Sequence, residues 1–359
     1  MGRLRPGAAT AVVALVATLG LAGCGTSHPA AQAQGALLDA RGFFHDYVTP
    51  DGAVVRRDQG GDVVSEGQGY AMLLAFALDD PHRFAKVWAW TRTNLQRPDG
   101  LFAYHWQDGA VVDSTPAADA DTQIAWALSL AGRAWSLPDD TAAARRIAEA
   151  IAESEIGYDA RGRPTLAAGP WAVERGQPVQ VEPGYWTFPA YAALATVTGD
   201  HRWQALTAAD AAHLSAVSGQ GSALPPDWAT VGGGAEPASP PQTGTAPASG
   251  QDGLRAIVWA ACLPATHDLT TRWWHTLAPT ARVGPLTRSL EGAPISDGPS
   301  PLSLVAAAAA ADVAGEAKAA GSLLTLARRT AAEHSTYYGD AWAALGQLLL
   351  SGRLPGCSP

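Results

Sequence analysis

Lysine is almost missing from this chain. Only Lys86 and Lys318 occur among 359 residues, and arginine carries the positive charge. We read this as a compositional bias with no functional content. The formal net charge is −9 and no basic patch stands out, which argues against a nucleic-acid partner. Cysteine is scarce too, at positions 24, 262 and 357. No C-x-x-C pair, H-E-x-x-H or EF-hand pattern exists, so no metal site is expected. No internal repeat is visible, which argues against a regular solenoid. The longest N-terminal apolar run, Ala8 to Leu21, is too short and too alanine-rich for a stable membrane span.

What is present is an apolar fraction of 47%, the proportion of a globular protein, with no stretch that reads as disordered throughout. The length suits one large domain or two ordinary ones. Arg3 and Arg5 precede the apolar run, which ends in Leu21-Ala22-Gly23-Cys24. A basic n-region followed by a short apolar h-region describes an export signal. L-A-G-C is similar to the bacterial lipobox, which implies lipid attachment at Cys24 and anchoring without spanning. Ordinary cleavage beside an incidental cysteine is the alternative. Residues 1–23 are thus expected to be a signal, 24–36 a flexible tether, and 37–354 a single folded domain on an exported protein. Cys262 lies in an apolar helical stretch and Cys357 in a polar tail. A buried free thiol at Cys262 is the plainer expectation; a bridge between the two is the alternative.

Apolar residues recur at helical spacing through the whole mature length. The pattern predicts helices near 37–47, 68–78, 82–95, 121–135, 141–153, 187–198, 203–217, 253–262, 269–277, 301–312, 317–332 and 340–351. Phe84, Val87, Trp88, Thr91 and Leu95 form one clear stripe, and Trp342, Leu345, Leu348 and Leu349 another. The signal is weak at 187–198, 269–277 and 301–312. Pro81, Pro138 and Pro189 sit near helix starts, where proline is tolerated. Connections alternate between short and long. The long ones, 96–120, 154–186, 218–252 and 278–300, carry aromatics, acids, glycine and proline. A helical barrel with its long loops at one end builds a groove there. Residues 229–250, rich in Gly, Pro, Ala, Ser and Thr, read as a mobile insertion.

The stretch Ser65-Glu66-Gly67-Gln68-Gly69-Tyr70, followed by Met72-Leu73-Leu74, is the most informative. Glycines on both sides of Gln68 suit a backbone that must approach something closely. A carboxyl at Glu66, beside Tyr70 and an apolar wall, is partly desolvated and its pKa rises, as a general acid requires. The plainer reading is that Ser65 caps the helix and Glu66 sits in its first turn. Asp113, Asp119 and Asp121 precede the helix carrying Ile124 and Leu128. Capping accounts for one of these acids and not for all. Asp252 and Arg255 begin another helix, where a cap and a surface charge are the plain alternatives.

These motifs resemble glycoside hydrolase family 8. S-E-G-Q-G-Y matches that family's signature, whose glutamate is the catalytic acid, here Glu66. The D-S-x-x-A-x-D-A-D pattern implies that Asp119 binds sugar at the cleavage subsite, with Asp121 a cap or a supporting neighbour that is itself a substrate-binding candidate. The Y-D-A-x-R pattern implies that Asp252 is the general base and that Arg255 holds it ionised. One departure is marked: the family's water-ordering tyrosine is Gln251 here, which lacks the ring and the acidic hydroxyl. Glu182-Pro183-Gly184-Tyr185 resembles N-P-S-Y, matching at Tyr185 but not at Glu182 or Gly184. Pro225-Pro226-Asp227-Trp228 resembles S-P-D-W. Trp106, Trp171, Trp186 and Trp228 fall in loops and are candidates to stack on pyranose faces, whereas Trp88 and Trp135 read as core.

The resemblance implies an all-α (α/α)6 barrel of six inner and six outer helices, hydrolysing internal β-1,4 bonds of cellulose-type glucan with inversion and without a cofactor. Xylan, chitosan and mixed-linkage glucan are the alternative substrates. A glycan-binding protein that has lost turnover is the alternative class, and a purely structural helical scaffold is a third. The likeness to cellulose-synthesis endoglucanases implies a link to such machinery or to cell-envelope glycan.

Overall fold

The computed structural model describes residues 1–2, 29–221, 223–241 and 243–357. The apolar run from Ala8 and the lipobox-like Cys24 lie outside the described residues. Among the described residues twelve α-helices run in order: α1 Pro29–Tyr47, α2 Ser65–Ala77, α3 Pro81–Asn94, α4 Ala118–Ala134, α5 Pro138–Ser154, α6 Phe188–Thr198, α7 His201–Val217, α8 Gln251–Ala261, α9 His267–Leu277, α10 Pro301–Val313, α11 Ala317–Glu333 and α12 Tyr337–Leu350. α1 begins well before the expected residue 37. The segment read as a tether is helical from Pro29, and Ala36 and Leu37 are buried in the core.

The even-numbered helices pack in a closed ring, each against the next, with α12 returning to α2. The odd-numbered helices pair with them on the outside. This is an (α/α)6 barrel, and it explains why some helical signals are faint. Helix α10 buries every residue from Pro301 to Ala311, and α2 buries all but two of its residues. A helix enclosed on all sides has no polar face, so its pattern carries little periodicity. The outer helices α5 and α11 bury one stripe, at Ala144, Ile147 and Ile151 in the first and at Leu323, Leu324 and Ala327 in the second. Their patterns are correspondingly clear.

The alternation of loop lengths sets the polarity of the barrel. Links from an inner helix to the next outer one are short, such as 78–80 and 199–200. Links from outer to inner are mostly long, and each ends at the N-terminus of an inner helix. The long loops contain strands that helical periodicity does not reveal. β1 Val63–Val64, β2 His105–Gln107 and β3 Ala110–Asp113 form one antiparallel sheet, with Val63 opposite Trp106. β4 Ile156–Tyr158 and β5 Pro164–Leu166 form a hairpin. β6 Val179–Val181, β7 Trp228–Val231 and β8 Ala235–Ala238 form a third sheet that joins two of the loops. The first part of the segment expected to be a mobile insertion is therefore paired strand. Cys262, at the end of α8, and Cys357 form a disulfide with their Cα atoms 4.2 Å apart. The bridge replaces the free thiol expected at Cys262. Among the described residues no helix is long and apolar enough to cross a membrane.

Candidate active site

Because α2, α4, α8 and α12 are inner helices, their N-termini meet at the long-loop end. Each brings a polar group in its first turn, Glu66 on α2, Asp119 on α4, Asp252 on α8 and Tyr337 on α12, and Arg255 follows one turn after Asp252. Helix N-termini carry partial positive charge and favour carboxylates there. Three acids, separated in sequence by 53 and then 133 positions, converge on Arg255.

Arg255 is the hub. Its Nη1 donates to Glu66 Oε2 at 3.0 Å, to Asp119 Oδ2 at 2.8 Å and to the Tyr70 hydroxyl at 3.0 Å. Its Nη2 donates to Asp252 Oδ1, and the guanidinium lies over the Tyr185 ring at 5.2 Å. The planar fork of arginine allows this sharing, which a lysine ammonium does not reproduce. Glu66 and Asp252 thus occupy different arms of one fork. They also retain side-chain exposure of 18% and 24%, against 2% for both Asp119 and Arg255. The two acids open to solvent are the two expected to handle protons.

Glu66 is held on both sides. Its Oε1 accepts from the Tyr337 hydroxyl at 3.2 Å. Gly67 makes that approach possible, since a Cβ there would stand 2.7 Å from the same hydroxyl. Ser65 is not a cap: it is the first helical residue, and Val64 precedes it with no capping bond. Gln68 is structural, accepting from Val54 N at 2.6 Å and donating to Thr91 Oγ1 at 2.7 Å. The Tyr70 hydroxyl accepts from Arg255 and from Trp342 Nε1 at 3.1 Å, leaving its proton for Glu66. Burial pushes the Glu66 carboxyl up to about 7; Arg255 opposes the rise, and Asp119 and Asp252 add to it. Contact with a cation therefore does not leave Glu66 permanently ionised, because three acids divide that cation. Asp119 is likewise raised, by burial first, with Arg255 opposing.

Asp252 is fixed by its surroundings. Asp227, in the loop before α8, accepts from Gly250 N at 2.7 Å and Gly253 N at 2.8 Å, and so caps the helix from outside. Burial, and then Asp252, push Asp227 up to about 6. Gly184 packs so closely on Asp252 that a Cβ would lie 2.2 Å from its carbonyl oxygen, and the Gly184 carbonyl accepts from Trp259 Nε1 at 2.9 Å. Glu182 is buried beside the Asp252 carboxyl. Gln251 begins α8 with its side chain exposed.

Two expected sugar contacts lie elsewhere. Trp186 is fully buried, with its Nε1 bound to Leu166 O at 3.0 Å, so it belongs to the core. Asp121 is also fully buried and accepts from Phe102 N at 2.8 Å. The fully buried Glu155 lies close by, and burial raises both carboxyls. Asp121 anchors the loop before α4 and does not face the groove. Trp106 and Trp228 are half-buried on strands, packed against Trp90 at 5.3 Å and Trp171 at 6.2 Å. Trp171 is the most exposed of the candidates, at 41%. Tyr337 and Tyr338 carry no motif strong enough to mark them in isolation. The signal that points to Tyr337 is Gly67, a glycine whose missing side chain makes room for it.

Comparison with known proteins gives a consistent result. The model described as "Glycosyl hydrolases family 8" matches residues 18–350. A probable endoglucanase of Novacetimonas hansenii is 32% identical over 258 residues, covering 67% of this chain and 72% of the relative. An endoglucanase of Cellulomonas uda is 32% identical over 189 residues, and the match spans about half of each protein, 52% in both cases. The solved structure of the endo-beta-1,4-glucanase CMCax from Acetobacter xylinum superimposes with a TM-score of 0.73 at 26% identity, covering 88% of this chain and 97% of that one. With the barrel, the cluster at its open end and a match over most of its length, the chain belongs to glycosyl hydrolase family 8.

Proposed function

We propose that this protein is an inverting, endo-acting hydrolase of β-1,4-glucan. The observation that carries the reading is the sharing of Arg255 by Glu66, Asp119 and Asp252, with Glu66 pushed up to about 7. Glu66 enters the reaction protonated and donates to the leaving glycosidic oxygen. Asp252, paired with Arg255, takes a proton from a water that attacks the anomeric carbon from the opposite face. Inversion needs room between the two carboxyls for that water, a separation of roughly 6.5–9.5 Å. Asp119 binds the sugar being distorted at the cleavage position. Tyr185 lies beside the pair, and Trp106, Trp171 and Trp228 offer faces for flanking sugars. The endoglucanase names of the relatives support cellulose-type glucan as substrate.

Purified protein assayed on carboxymethylcellulose, mixed-linkage glucan, xylan and chitosan, with Glu66→Gln as control, tests the assignment. Reducing ends are expected from the cellulose-type polymer and not from the variant. Activity surviving in the variant rules out the acid. NMR of the first product settles the stereochemistry, and retained configuration rules out inversion.

We also propose that the protein is exported and lipid-anchored at Cys24, serving a cellulose-synthesis or cell-envelope glycan machinery. The order of basic residues, apolar run and L-A-G-C supports the anchor, and the motif resemblance in the sequence is what suggests the setting. Radiolabelled palmitate incorporation that persists in Cys24→Ala rules out the anchor.

A further inference from the structure

The acid cluster contains a carboxyl that the mechanism above does not use. Glu182 lies just before the turn Pro183–Tyr185, is 5% exposed, and makes a side-chain hydrogen bond with Asp252. Two carboxylates cannot make such a bond; one of them must hold a proton. The surroundings decide which. Asp252 has Arg255 Nη2 on its Oδ1 and keeps part of its surface in solvent, and both favour its ionised form. Glu182 is buried more deeply, and the charges that face it are Asp252, Arg255 and Asp119. Two of those three are acids, and the one cation is already divided among Glu66, Asp119 and Asp252. The proton therefore resides on Glu182. Burial, and then the neighbouring Asp252, hold the Glu182 carboxyl well above the usual carboxylate range.

We propose that Glu182 is a positioning residue for the base: as a neutral acid it donates to the Asp252 carboxylate, which Arg255 holds on its other side. The segment acts as a unit. Glu182 meets the Asp252 side chain, Gly184 meets the Asp252 backbone, and Tyr185 lies under Arg255. A carboxylate gripped by one donor alone still swings about that contact. A second donor from another element fixes its plane, and with it the lone pair that must face the attacking water. Misplacement of a reacting group by about 1 Å costs on the order of a hundredfold in rate.

This inference rests on the reading of Asp252 as the base, and the test separates the two. Glu182→Gln keeps an uncharged donor of the same shape; Glu182→Leu removes it. On soluble β-1,4-glucan, Glu182→Gln is expected to retain kcat within about threefold. Glu182→Leu is expected to lose about ten- to a hundredfold in kcat with KM little changed. Equal loss in both variants, or full activity in Glu182→Leu, overturns the role of Glu182. A second measurement needs no turnover. The infrared difference between wild type and Glu182→Gln at neutral pH should show loss of one protonated-carboxyl carbonyl band; absence of that difference means an ionised Glu182 and overturns the proposal. Asp252→Asn that turns over like wild type overturns the base reading itself, whatever the Glu182 variants do.

Discussion

The position of Glu66 on the pH scale is the most direct consequence of the geometry. Burial raises this carboxyl from the ordinary 4.5 to about 7. The difference corresponds to about 3 kcal/mol in favour of the protonated form. On the proposed role of Glu66 as the general acid, which must begin protonated, kcat/KM of the free enzyme should fall above about pH 7, reaching roughly a tenth of its plateau one pH unit higher. An ordinary glutamate would be only about one per cent protonated at pH 6.5, and activity there would be small. The limb belongs to the coupled cluster, so it is an apparent value. The assay is initial-rate hydrolysis of a soluble β-1,4-glucan from pH 4 to 9, for wild type and Glu66→Gln. The variant should lose about 10²–10⁴ in rate and should lack the alkaline limb. The same shift bears on stability. A carboxyl raised on folding takes up a proton, so its contribution is fully present below about pH 4.5 and is lost as pH rises through about 7. The melting temperature of wild type relative to Glu66→Gln should decline across that window. An alkaline limb below about pH 5.5, or the same limb in the variant, refutes the reasoning.

Two further outcomes follow from the packing. Arg255→Met leaves Asp119 and Asp252 without their cation and should cost about 3–5 kcal/mol, read by urea denaturation; Arg255→Lys should fold better yet lose most activity, because an ammonium cannot serve both arms of the fork. Unchanged stability in the methionine variant refutes the hub. Cys357→Ser opens a bridge across 95 residues and should lower stability by about 2–4 kcal/mol, while kcat stays near wild type because Cys262 lies ten residues, about 15 Å, along α8 from Asp252; a comparable loss of kcat in the folded variant refutes that separation.

The twelve helices were legible because apolar spacing is a local property. Outer helices such as α5 show it plainly, while α10, enclosed in the ring, shows it faintly for the same reason that it is buried. The strands were not legible. β1 has two residues and β6 three, and each is stabilised by a partner distant in sequence, so no window contains its reason. The site divides along the same line. Glu66, Asp119 and Asp252 each stand in a recognisable motif, but the sharing of Arg255 among them exists only in space. Trp186 shows the limit of placing a residue by its loop: a segment can run over the surface and still turn one indole inward to a backbone carbonyl. The disulfide joins a helix end to the tail, and nothing near either cysteine names the other.

Charge balance explains why such a cluster forms and why it keeps one movable proton. Glu66, Asp119 and Asp252 bring three negative charges into a largely buried space, and Arg255 returns one positive charge. The N-termini of α2, α4 and α8 add roughly half a charge each. The deficit that remains is a fraction of one charge. It is too small to force protonation of every acid and too large to leave all of them ionised near neutral pH. The proton should settle on the acid whose ion pairing is weakest. Asp252 has an arm of the fork to itself, and Asp119 lies closer to Nη1 than Glu66 does, at 2.8 against 3.0 Å. Glu66 is the acid left with the loosest hold on the cation and a hydroxyl on its other oxygen. A group that shares its counter-ion while keeping some exposure to solvent is suited to giving a proton to a substrate and recovering it from water.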